Sequence, residues 1–260
     1  MKRRTPVNVI MVIDYEKKGR IAVITLNRPK ALNAQNAQFH KELGAVFTQF
    51  RDDPEAWVAI VHGAGDKAFS TGADIKEFGS SSGTGNIYSR LRAEQIWKPF
   101  IAAIHGYCLG GGLQLAMECD LRIAAVNARF GYPEVKRGLF PGSSCTLRLP
   151  RSIARSHVME LMLIGDHIDA QEAYRMGLVN KVVPLTELMP TAFDWAQKIC
   201  ENGPLGVRAT KEAIIRGYGL NWDEGRKLEA EIMSRIMVSE DFKEGAKAFS
   251  EKRKPVFKGR

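Results

Sequence analysis

Four short apolar runs limit what this chain can fold into. They are Ile21 to Leu26 (IAVITL), Trp57 to Val61 (WVAIV), Pro99 to His105 (PFIAAIH) and Leu121 to Val126 (LRIAAV). Short apolar runs of this kind read as buried strands. Asn27-Arg28-Pro29 stops the first run, and His62-Gly63-Ala64-Gly65 turns the chain after the second. From Ala34 to Phe50, the residues Phe39, Leu43, Val46, Phe47 and Phe50 recur at helical spacing, and Asp52-Asp53-Pro54 ends that helix. After the third run, Gly110 to Gly112 opens a helix from Leu113 to about Cys119. Strands alternating with helices indicate an α/β fold of stacked units. Beyond Pro150 the pattern is mostly helical. Trp222 to Phe249 carries Leu228, Ile232, Ile236, Phe242 and Phe249, spaced as one long helix or two. Gly79 to Gly85 (GSSSGTG) reads as a mobile loop rather than a domain linker.

A chain of 260 residues is long enough for one large domain or a domain with an appendage. It contains no apolar run of membrane-spanning length. The basic, then apolar start (Met1 to Arg4, Val7 to Ile13) meets Asp14 and lacks a small-residue cleavage site, so we read it as a flexible entry into a first strand. Cys108, Cys119, Cys145 and Cys200 form no CxxC pair and have no histidine cluster beside them. Neither a metal site nor a disulfide framework follows; reduced thiols in the cytoplasm do. Lys plus Arg is 38 and Asp plus Glu 29, a net charge of +9. The excess favours an anionic ligand, a nucleotide or a nucleic acid, or is a solvated basic surface.

Two segments carry the chemistry. In Ser70 to Glu77 (STGADIKE), Gly72 allows an unusual dihedral, and the amides after it can face an anion. Gly110-Gly111-Gly112 lies between a strand and a helix. An amide at a helix N-terminus favours negative charge and can stabilise an enolate oxygen, although tight helix–strand packing explains such a run equally well.

These segments resemble the crotonase family, the enoyl-CoA hydratase/isomerase superfamily. The matching stretches are NRPKALNA (Asn27 to Ala34), FSTGADIKEF (Phe69 to Phe78), IAAIHGYCLGGGLQLAMECDLRIAA (Ile101 to Ala125), FGYPEVKRGLFPG (Phe130 to Gly142), LIGDHIDAQEAYRMGLVNKVV (Leu163 to Val183) and FSEKRKPVFK (Phe249 to Lys258). The resemblance implies an α/β spiral of ββα units over residues 1–200 and a helical C-terminal trimerisation region over 201–260. It implies a homotrimer or dimer of trimers acting on an acyl-CoA, with no cofactor, no metal and no nucleic acid. The oxyanion hole falls on the N–H groups of Ala73 and Gly111. Backbone around Ala73, Asp74 and Ile75 matches positions that hold the CoA adenine. Lys30, Ala31 and Lys76 match positions lining the pantetheine and phosphates. Phe249 and Lys252 match tail residues that reach a neighbour's CoA, and Gly142 matches a glycine that helps hold water.

The catalytic carboxylates depart from the family pattern. Hydratases of the family carry two glutamates; the second matches Glu134, but Gln114 stands at the first. Glutamine can orient water but cannot exchange a proton. The resemblance therefore implies hydration of a 2-enoyl-CoA with Glu134 moving protons and Gln114 orienting water. Double-bond isomerisation or a single-glutamate hydratase-lyase reaction is the alternative, and a basic RNA-binding protein with a decayed site is a third. Glu118, one turn after Gln114, either supplies the missing carboxylate or pairs with a basic residue. Ser143 and Ser144 bind water or cap a turn. His105 reads as a strand-end histidine, and Cys108 and Met117 as core.

Overall fold

A computed structural model describes residues 11–78 and 91–260. The first ten residues and the loop expected at Gly79 to Gly85 lie outside them. Strands β1 (Ile13–Lys18) and β2 (Ile21–Leu26) form an antiparallel hairpin. Helix α1 (Ala37–Asp52) starts later than its apolar period because the Asn36 side chain accepts from the Phe39 amide and fixes the N-terminus there. Three strand pairs follow: β3 (Val58–Gly63) with β4 (Ala68–Ser70), β5 (Phe100–Ile104) with β6 (Tyr107–Leu109), and β7 (Leu121–Ala125) with β8 (Arg129–Gly131). Helix α2 (Ile75–Phe78) comes after β4, helix α3 (Gly111–Glu118) after β6, and a 3-10 turn at Pro133–Arg137 after β8.

The first member of each pair joins a six-stranded sheet of order β1-β2-β3-β5-β7-β10, where β10 is Lys181–Val183. The second joins a four-stranded sheet of order β4-β6-β8-β9, where β9 is Ile168–Asp169. The chain thus climbs as a spiral of ββα units. Gly106, at the corner between β5 and β6, has φ +54, and a Cβ there would stand 2.0 Å from the Lys67 carbonyl oxygen, so only glycine fits.

The larger sheet is buried on both faces. Ala59, Val61, Ala102 and Ile104 face α1, while Val58, Ile60, Ile101 and Ala103 face a second apolar cluster. This is why these strands read as unbroken apolar runs rather than alternating ones. Helix α7 (Leu188–Cys200) covers the second face with Leu188, Ala192, Ala196 and Cys200, one residue per turn. The short helices α4 (Cys145–Arg148), α5 (Arg155–Met159) and α6 (Ala170–Arg175) precede it, and α8 (Pro204–Gly217), α9 (Trp222–Met237) and α10 (Glu240–Ser250) follow. The stretch from Trp222 is therefore two helices, separated where Ser239 caps α10 by accepting from the Phe242 amide. All four cysteines are free and buried. Among the described residues, no helix is long and apolar enough to cross a membrane.

Candidate active site

In the smaller sheet β4, β6 and β8 are parallel neighbours, so their C-terminal ends lie side by side. The residues just beyond those ends include Ala73, Gly111 and Glu134. The topology itself converges the two glycine-bearing segments and the Glu134 segment that the resemblance adds.

Gly72 has φ +83, and a Cβ built on it would lie 2.7 Å from the Gly111 nitrogen. The backbone before Ala73 therefore runs directly against the first residue of α3. Among the described residues, neither the Ala73 nor the Gly111 amide donates to a protein acceptor. Gly111 is the first residue of α3, where intrahelical acceptors are missing and the helix dipole is positive. Gly112 is needed for close approach, since a Cβ there would meet the Ser70 carbonyl oxygen at 2.2 Å.

Gln35 joins the two segments, and nothing in the sequence marked it. Its amide donates to the Gly72 carbonyl at 2.8 Å, and its carbonyl accepts from the Asp74 amide at 3.0 Å, one bond on each side of Ala73. Its side-chain Nε2 donates to the Gly111 carbonyl at 3.0 Å. Ser70 completes this buried network, its hydroxyl donating to the Asn33 carbonyl at 2.8 Å and accepting from the Gly72 amide at 3.3 Å. At the start of the apolar period from Ala34, Gln35 looks like any other polar helix residue.

Glu134 lies in the 3-10 turn, half-buried, with its carboxylate against the glycine run. A Cβ on Gly110, which has φ +51, would stand 2.7 Å from Glu134 Oε1. The other oxygen, Oε2, is buried and has no partner among the described residues. Burial raises the Glu134 pKa above its ordinary value, against the opposing effects of its backbone amide and Arg137. Cys145 is buried beside it; burial, with the charge of Glu134 adding, pushes its thiol up to about 12. It is a neutral wall and not a nucleophile.

Gln114 is 8% exposed, and its Nε2 donates to Glu118 Oε1 at 3.2 Å. The carboxylate that sequence reasoning either paired with a base or placed in catalysis thus has the Gln114 amide as a partner, and it also acts electrostatically on Arg148. Gly142 opens a turn in which Ser143 and Ser144 both have left-handed φ, 57 and 69. Neither hydroxyl caps α4. The Ser144 hydroxyl accepts from Arg92 at 3.4 Å and the Ser143 carbonyl from Arg148 at 3.3 Å, so two arginines brace the turn.

Lys30 and Ala31 sit in a 3-10 turn, Pro29–Ala31, with Lys30 exposed. A cleft of about 290 Å³ separates this turn from residues 64–68, and Lys67 joins Lys30 on its lining. Lys67 is a second cation that the sequence reading passed over. Arg28 pairs with Asp74 at 3.0 Å, both side chains largely buried, tying the start of the turn to the segment after Ala73. Ile75 and Lys76 are exposed on α2. Phe249, 88% exposed, and Lys252 lie on the surface at the end of α10. His105 is buried just past β5, and Cys108 and Met117 are core. Among the described residues, no three His, Cys, Asp or Glu side chains are grouped to hold a metal ion.

The chain matches the enoyl-CoA hydratase/isomerase family over residues 16–260. It is 45% identical to the short-chain-enoyl-CoA hydratase of Clostridium acetobutylicum, across 95% of this chain and 96% of that one. It is 40% identical to the (E)-benzylidenesuccinyl-CoA hydratase of Thauera aromatica, across 96% and 100%. The crystal structure of an enoyl-CoA hydratase from Bacillus anthracis superposes with a TM-score of 0.91 at 38% identity, covering 96% of this chain and all (100%) of that one.

Proposed function

Because the chain belongs to the enoyl-CoA hydratase/isomerase family, we propose that it reversibly hydrates a short 2-enoyl-CoA, with Glu134 as the proton carrier. One observation carries the reading: the Glu134 carboxylate rests on Gly110, next to the Gly111 amide. A base and an oxyanion donor are thus adjacent.

The thioester oxygen sits between the N–H groups of Ala73 and Gly111. Water, held by Glu134, Gln114 and Gly142, bonds through its oxygen to C3 of the substrate. Glu134 takes the proton released. The C2=C3 electron pair moves toward the thioester, and the resulting enolate oxygen is stabilised by the two amides; one such donor is worth about 10²–10³ in rate. Glu134 then returns the proton to C2, and water has added across the double bond. Water, substrate and Glu134 supply every atom of this step. The raised pKa of Glu134 suits it, because a carboxyl that must both take and give a proton works best nearer neutrality.

Lys30, Ala31 and Lys76 line the pantetheine and phosphates of CoA, and the backbone around Ala73, Asp74 and Ile75 holds the adenine. Phe249 and Lys252 serve the CoA of a neighbouring subunit, which requires a trimer or a dimer of trimers. Residues 201–260 form the assembly region on a spiral core of 1–200. Trp222 and Phe249, 81% and 88% exposed, are the apolar surface such a contact would cover. Light scattering that finds a monomer at micromolar concentration removes both the assembly and the shared site. We place the enzyme in the cytoplasm.

Gln114 in place of a second acid favours one other reading, movement of a double bond by Glu134 alone. Mass spectrometry of products from a panel of enoyl-CoA thioesters separates the two. Hydration adds the mass of water; isomerisation leaves the mass unchanged and shifts the double bond.

A further inference from the structure

We propose that Glu118 is a positioning residue for the hydration step, holding the Gln114 side chain with its carbonyl oxygen toward the water. The inference rests on the hydratase reading above. A primary amide has two ends of similar shape and opposite hydrogen-bonding character, so its use depends on which end faces the substrate. A carboxylate only accepts. Glu118 Oε1 lies 3.2 Å from Gln114 Nε2, and the two residues are 2% and 8% exposed. The NH₂ end is thereby drawn one turn down α3, toward the helix C-terminus. That leaves Oε1, on the other arm of the amide, as the end available to a water beside Glu134, whose carboxylate lies against Gly110. A water there finds two acceptors, Gln114 Oε1 and the Glu134 carboxylate, and both its protons are directed. Its lone pair is left for carbon.

Two residues of α4, Cys145 and Arg148, stand within electrostatic reach of this helix face. Cys145 feels the charges of both Glu134 and Glu118, so its thiol stands within electrostatic reach of both. Arg148 is raised in part by Glu118 and donates to Glu94 at 2.6 Å, so the Glu118 charge has a cation in reach. The chain thus keeps a carboxylate in this region, set one helical turn deeper, with an amide between it and the water.

The test uses Glu118→Met, the more conservative Glu118→Gln, Gln114→Glu and the Gln114→Glu/Glu118→Met double variant of the full chain. Hydration of a short 2-enoyl-CoA is followed with kcat and KM separated, and products are weighed. A hydrogen bond to a charged acceptor sets the scale, so Glu118→Met should lower kcat about tenfold. KM should stay within about twofold, because the loss falls on the transition state. Glu118→Gln retains an oxygen acceptor and should recover most of the rate. In the Gln114→Glu background the sign should reverse. There, two carboxyl groups about 3 Å apart share a proton, and removing Glu118 frees the new carboxylate and raises kcat. A structural role predicts loss in both backgrounds. Equal loss in both, no loss in either, or a change in KM and melting temperature alone overturns the inference. If Glu118→Met fails to fold, the smaller Glu118→Ala, which also lacks an acceptor, replaces it: a kcat well below that of Glu118→Gln supports the inference, and a kcat equal to it overturns the inference. A wild-type product with a shifted double bond and no added water overturns the hydration reading itself, and the inference with it.

Discussion

Glu134→Gln keeps the shape of the side chain and removes both its charge and its capacity to carry a proton, so activity and stability should move in opposite directions. General acid–base catalysis contributes about 10²–10⁴ in rate, and Glu134 is the proposed proton carrier, so kcat should fall about 10²–10⁴-fold. Stability responds to the burial that raises the Glu134 pKa. A carboxyl raised in the folded state binds its proton more readily there than in the unfolded chain. Stability therefore falls as pH rises from the ordinary glutamate value through the raised one, and above that window the whole cost is present. Oε2 is buried with no partner among the described residues, and an unsatisfied buried polar atom costs about 1–3 kcal/mol. Glutamine leaves a donor there instead, and the side chain is only half-buried, so the gain belongs near the lower end, about 1 kcal/mol. For a domain of this size that is about 2–4 °C in Tm. Steady-state hydration measures the first effect. Thermal melts at pH 8 and pH 4 measure the second, and the gain should be present at pH 8 and shrink at pH 4. A variant that keeps most of the wild-type rate refutes the proton-carrier role. A variant that melts lower at pH 8 shows that the carboxylate is held by favourable contacts rather than penalised by burial.

Gly72→Ala should reduce kcat by about 10²-fold or more, because the new Cβ falls 2.7 Å from the Gly111 nitrogen and φ is +83; a normal rate would show that the two amides do not act together. Gln35→Leu should lower kcat about tenfold with CoA affinity preserved, by untying Gly111 from the Ala73 segment; the absorbance shift of a bound enoyl thioester, which reports carbonyl polarisation, should shrink in parallel. Lys30→Ala and Lys76→Ala should raise KM severalfold at unchanged kcat, and added salt should narrow the difference from wild type, since exposed cations on an anionic ligand give uniform, screened binding.

How much of this was readable before the structure depended on what each residue touches. The larger sheet was legible because a strand buried on both faces must be apolar throughout, and its four runs stand out against any background. β4, β6 and β8 were not, at three residues each. Those strands have too few positions to display a period, and they are specified by their neighbours in the sheet rather than by their own composition. Yet it is their ends that assemble the site. Ala73, Gly111 and Glu134 stand in the local motifs that carry the family resemblance. Gln35 and Glu118 were not assigned their partners, because a single polar side chain carries no signal for where its hydrogen bonds end. Gln35 reaches Gly111, 76 residues away in sequence, and only the pairing of the spiral's turns brings them together. Glu118 shows the converse. Its helical offset from Gln114 was plain in the sequence, but a basic partner was the default expectation for a buried acid. Arg148 does lie within electrostatic reach of Glu118, and the Gln114 amide is a further partner, donating to Glu118 Oε1. The groups proposed to meet the substrate are thus written in local motifs, and the polar side chains that brace them are written in contacts that exist only once the chain has folded.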